Sequence, residues 1–113
     1  LSDSTPTKKY PLKANEFIAL NDEIASLLRA GIPLSAGLHG FASSVSGRLK
    51  RYSHALAEQI EQGKSLGESL KSIDQSIPPT YAAILEAGAE SGRLADAVES
   101  LANYARQAEE TRN

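Results

Sequence analysis

A chain of 113 residues with 41% apolar content suits one domain with a modest core and leaves no room for a catalytic domain beside a regulatory one. The net charge of -2 comes without a long run of one sign, so nothing points to general nucleic-acid binding. The absence of Cys excludes disulfides, thiolate metal sites and a Cys nucleophile, and fits a cytosolic setting.

Aromatic residues are scarce and Trp is absent, so Leu, Ile, Val and Ala must do the packing, as in helical bundles. The sequence opens on Leu1 and contains no Met, which suggests a fragment or a processed chain. No apolar run approaches the roughly 20 residues needed to cross a bilayer, and no signal-peptide core is present. The piece itself is expected to be soluble, whatever its parent.

Residues 1–14 read as a flexible leader or linker, rich in Ser, Thr, Lys and Pro, with Tyr10 and Leu12 as late anchors. The first helix is expected over Asn15–Ala30, with Asn15 as N-cap and Phe17, Leu20, Ile24, Leu27 and Leu28 as the apolar stripe. Gly31 stops it. Pro33 restarts the chain, and a second helix to about Ser44 turns Leu34, Leu38, Phe41 and Val45 to the core. Gly37 and Gly40 weaken this helix by about 1 kcal/mol each relative to Ala; close approach of a neighbour and tolerated drift explain them equally well.

A third helix, Gly47–Gln62, carries Leu49, Tyr52, Leu56 and Ile60 inward and ends at Gly63. Ser65 and Glu68 have the capping-box form at the head of a short fourth helix bearing Leu66, Leu70 and Ile73. Pro78-Pro79 start a fifth, on which Tyr81, Ile84 and Leu85 recur at helical spacing. The sixth steps through Leu94, Val98, Leu101 and Ala105. Between them lies Gly88-Ala89-Glu90-Ser91-Gly92. Gly88 is placed to end the fifth helix in a left-handed conformation, with Ser91 or Gly92 opening the sixth. No alternating strand pattern competes. The expected fold is an all-α, compact six-helix bundle over residues 15–113.

Chemistry is hard to find. His39 and His54 sit in no metal-ligand spacing, and ordinary half-buried histidines account for them best. Arg48, Lys50, Arg51 and His54 gather early in the third helix, where positive charge opposes the helix dipole. A solvated polar face is the commoner meaning, and an acidic partner or anionic lipid the functional one. Glu86 and Glu90 stand four apart at a helix end, so their carboxylates are the weak candidates for a cation. No phosphate loop, dinucleotide fingerprint, nucleophile elbow or triad is present. The reading is therefore not an enzyme, with no cofactor beyond a cation at an interface.

Three segments in order carry a resemblance: Leu27-Leu28-Arg29-Ala30-Gly31-Ile32-Pro33-Leu34, then Gly63-Lys64-Ser65-Leu66-Gly67-Glu68-Ser69-Leu70, then Ile77-Pro78 with Ala87-Gly88-Ala89-Glu90-Ser91-Gly92-Arg93-Leu94 and Leu101-Ala102-Asn103-Tyr104. Together they resemble the F domain of type II secretion systems (the GspF/PilC family), which also occurs in type IV pilus platform proteins. One position departs: the acidic residue that follows the pattern's first glycine is Ala89 here, with Glu90 one place on, about 100° round a helix.

The resemblance implies a non-catalytic cytoplasmic domain of an inner-membrane platform protein for type II secretion or type IV pilus assembly. Its N-terminal cytoplasmic copy fits the polar leader better. Implied partners are the assembly ATPase and other platform proteins, and a homodimer is expected through helical faces. Arg48, Lys50 and Arg51 are the candidate partner face. The competing class is a helical nucleic-acid-binding or regulatory interaction module, against which the alternating charges of the last helix argue.

Overall fold

The computed structural model describes residues 12–111. Most of the expected leader lies outside the described residues. Of its last three, Leu12 packs against the core and Ala14 already belongs to the first helix. Six helices follow: α1 (Ala14–Ala30), α2 (Leu34–Ser43), α3 (Gly47–Glu61), α4 (Leu66–Ile73), α5 (Pro79–Glu90) and α6 (Leu94–Thr111). Among the described residues there is no strand, and the all-α bundle stands.

The start of α1 corrects the sequence reading. Lys13, not Asn15, is the N-cap. Its backbone N–H donates to Glu16 Oε1 at 2.9 Å, the reach-back half of a capping box. A lysine side chain carries no acceptor to supply the other half. At α4 the box is complete: Glu68 N donates to Ser65 Oγ and Ser65 N to Glu68 Oε1, both at 3.1 Å.

Three helices end in the same way. Gly31, Gly63 and Gly92 have φ of 72°, 96° and 74°, a region costly for residues with a Cβ. Each begins a Schellman closure. Gly31 N and Ile32 N donate to Leu28 O and Leu27 O, Gly63 N and Lys64 N to Ile60 O and Gln59 O, and Gly92 N and Arg93 N to Ala89 O and Gly88 O. The chain therefore leaves α1, α3 and α5 with fixed direction, and the next helix begins within a few residues.

α1 packs chiefly along α6, α2 along α3, and α5 bridges α4 to α6. Leu20, Ile24, Leu38, Tyr52, Leu56 and Val98 are fully buried, with Leu27, Leu70, Leu85 and Leu101 nearly so. The core thus draws on all six helices, and Leu27, Leu56, Val98 and Leu101 share it as the stripes predict. One polar link is buried with them: Tyr52 Oη donates to Asp74 Oδ2 at 2.7 Å. Ser76 adds its N–H and hydroxyl to Oδ1 at 3.0 and 2.6 Å. Burial first, then the Asp74 carboxylate, pushes the Tyr52 hydroxyl far above its ordinary range.

Candidate functional site

The α5–α6 corner differs from expectation at its first glycine. Gly88 does not end α5; it lies buried inside the helix, which continues to Glu90. A Cβ there would stand 2.7 Å from Ala97 Cβ and 3.2 Å from Arg93 O, so Gly88 is a contact point between helices. Gly92 supplies the left-handed turn instead. Ser91 Oγ donates back to Gly88 O at 3.2 Å. The sixth helix opens on Leu94, with Arg93 O accepting from Ala97 N at 3.1 Å, so neither Ser91 nor Gly92 opens it. Sequence spacing cannot distinguish a glycine kept for φ from one kept for contact.

Of the two candidate carboxylates, Glu86 is held against α4 by Ser65 Oγ, which donates to Glu86 Oε2 at 2.5 Å. The close α4–α5 approach shows at Gly67, where a Cβ would stand 3.1 Å from Ala82 O. Glu90 and the departure residue Ala89 are both exposed. Among the described residues no group of three or more His, Cys, Asp or Glu is placed to hold a metal ion.

The basic trio splits in its local contacts. Arg48 Nε lies 3.6 Å from Glu16 Oε1, tying α3 to α1. Lys50 Nζ donates to Ala42 O at 3.0 Å, satisfying a carbonyl near the end of α2. Arg51 is exposed. A longer charged seam joins α1 to α6. Arg29 donates to Glu99 at 2.9 and 2.6 Å and to Asp96 at 2.9 Å, and Arg106 pairs with Asp22 at 2.7 Å. The Arg29 hydrogen bonds hold both carboxyls below their usual range.

The apolar surface concentrates elsewhere. Leu12, Phe17, Ile77, Tyr81, Tyr104 and Ala108 help line a groove of about 380 Å³ where α1, α5 and α6 meet. Phe17 and Tyr81 rings lie 6.1 Å apart. Next to it, Thr80, Tyr81, Ile84, Ser100, Leu101 and Tyr104 line a smaller hollow without a charged residue. Ile84 and Tyr104 are 43% and 63% exposed, which makes this patch the clearest apolar contact face. The stripe on α5 was legible, but which of its residues face outward depends on how far α6 wraps it.

The structure also brings together two histidines that their spacing did not connect. His39 on α2 and His54 on α3 face each other with Nδ1 atoms 2.6 Å apart and ring centroids 4.9 Å apart. His39 Nε2 lies 3.1 Å from Glu61 Oε2. The signal was present in the hairpin itself, since the Ser44–Ser46 turn folds the helix bearing His39 back along the helix bearing His54.

Against known families, the description "Type II secretion system (T2SS), protein F" matches residues 21–113. A type II secretion system protein F of Pseudomonas aeruginosa is 29% identical over 102 residues, covering 89% of this chain and 25% of the relative. One from Vibrio cholerae is 24% identical over 106 residues, covering 93% and 26%. The type IV pilus assembly protein TapC of Aeromonas hydrophila is 25% identical over 99 residues, covering 87% and 24%. The chain thus spans about a quarter of the length of these relatives.

Proposed function

Because the chain belongs to the type II secretion system protein F family, we propose that it is a non-catalytic cytoplasmic domain of an inner-membrane platform protein, serving type II secretion or type IV pilus assembly. The observation that carries this is the family match across residues 21–113, joined by relatives named for both processes. No helix among the described residues is long and apolar enough to cross a membrane, in keeping with a domain whose work lies beside the bilayer. Within its parent it is the N-terminal cytoplasmic copy.

The domain acts through protein contacts. Its packed core resists continuous deformation, so a push on one face is passed on as movement of the whole. Two faces serve different partners in this reading. The face bearing Arg48, Lys50 and Arg51 meets an acidic surface of the assembly ATPase. The uncharged patch at Tyr81, Ile84 and Tyr104 pairs with its own copy, since a symmetric contact sets each residue near its twin and like charges at the centre would repel.

Calorimetric titration of the chain with the assembly ATPase of the same organism tests the first face. Saturable binding is expected, weakened at least tenfold by the triple reversal R48E/K50E/R51E. Binding that is unaffected by that reversal rules the basic face out, and absence of binding rules out the ATPase as a direct partner.

A further inference from the structure

We propose that His39 and His54 form a two-imidazole site for a divalent transition-metal ion of the zinc, nickel or copper class, with Glu61 as a positioning residue. The site is independent of the proposed function. α2 and α3 run antiparallel from a short turn and pack along each other, so the backbone brings the two rings together before any metal arrives. Two donors fixed on neighbouring rigid elements lose little freedom on binding.

Glu61 decides which nitrogen is available. An ionised carboxylate only accepts hydrogen bonds, and Glu61 Oε2 lies 3.1 Å from His39 Nε2. That contact places the His39 proton on Nε2 and leaves a lone pair on Nδ1. This is the carboxylate–imidazole arrangement that orients metal-binding histidines and raises their basicity. The lone pair points at His54 Nδ1, 2.6 Å away, so the metal-free pair is closed by a proton on His54 Nδ1.

A bound ion replaces that hydrogen bond. The His54 proton moves to its own Nε2 through solvent, so no proton is lost overall. Metal–nitrogen bonds of about 2.0–2.1 Å at a tetrahedral angle set the two nitrogens roughly 3.3 Å apart. The rings must therefore part by roughly 0.7 Å from their present spacing. Both are only partly buried, so ring rotation can supply this without moving the helices. Water fills the remaining positions. Imidazole nitrogen favours zinc, nickel and copper over magnesium or calcium.

The test is titration of the full chain with zinc chloride, followed by long-range proton–nitrogen spectra of the imidazole rings. Both Nδ1 signals are expected to shift on coordination, and magnesium chloride to leave them in place. H39Q and H54Q should each weaken apparent affinity at least tenfold. E61Q, which keeps both ligands and alters an exposed side chain, should weaken it about ten- to a hundredfold and give His39 mixed tautomers in the metal-free spectrum. The exposed position keeps the test available if a histidine variant unfolds. Ring nitrogens unmoved by saturating zinc would overturn the site, as would equal titration midpoints for E61Q and the parent chain.

Discussion

At Gly88 and Gly40 the same substitution should act in opposite directions. Both glycines are helical, so alanine brings an intrinsic gain of up to about 1 kcal/mol at either. At Gly40 nothing lies within 4 Å of an added Cβ, and G40A should raise stability by about 0.5–1 kcal/mol. At Gly88 the new methyl meets Ala97 Cβ and the Arg93 carbonyl, neither of which can swing away. Overpacking of that kind typically costs about 1–3 kcal/mol, so G88A should be destabilising in urea titration despite its better helix propensity. Tyr52 makes a separate prediction through pH. Its hydroxyl ionises well above the ordinary value of 10.0 in the folded chain, whereas the unfolded chain loses that proton near about pH 10. The folded state then binds more protons, so stability falls as pH rises above about 10. Y52F should lower stability at neutral pH by about 1.5–3 kcal/mol, the range for a hydrogen bond to a charged group, and make its decline above pH 10 less steep.

At the scale of the element, the stripes and stops of the sequence carried most of the architecture. Gly31 and Gly63 each stand where an apolar stripe ends, and both adopt the left-handed turn. The Ser65–Glu68 pair forms its full box. What could not be read was any feature set by a neighbour. Gly37 packs on Leu27, whose Cδ atoms would lie 2.5 and 2.7 Å from an added Cβ, while Gly40 three residues later packs on nothing. Gly88 is hidden from its sequence context for the same reason, because its partner Ala97 lies across a turn. The His39–His54 pair exists only once α2 is folded on α3. The α6 stripe has a direct test: Leu101 is 5% exposed, and L101A should cost about 2–5 kcal/mol in denaturant titration. The Arg29 seam has a pH signature. The folded-state pKa values of Asp96 and Glu99 are lowered, so their contribution is present above the ordinary carboxylate range and lost as pH falls through the lowered values. The melting-temperature gap between the parent chain and R29Q should therefore be widest near neutral pH and close in acid, and added salt should narrow it.

At the scale of the whole molecule, sedimentation over a wide concentration range should show a weak homodimer. Y104E and I84E should return it to monomers with unchanged helix content, since neither side chain is buried in the core. A dimer that survives both changes places the contact on another face. Addition of a chelator to the metal-free chain should leave the monomer's melting temperature where it was, whereas zinc bound by the folded chain alone should raise it. The apolar core unites residues from every helix, and the proposed histidine site adds an ion to a fold already complete.

The α1–α6 seam has a consequence for how the domain comes into being on the ribosome. Asp22 meets Arg106 and Arg29 meets Asp96 and Glu99, so the earliest made of these six helices has its main partner in the latest made. α2 and α3 can close on each other soon after they emerge, as neighbours in sequence. α1 must wait without its main packing partner until α6 clears the exit tunnel. At about 5–20 residues per second, that interval lasts roughly several seconds, far longer than a helix needs to form. During translation the nascent chain should therefore gain its α1 protection late and in one step, while protection in the α2–α3 hairpin comes early.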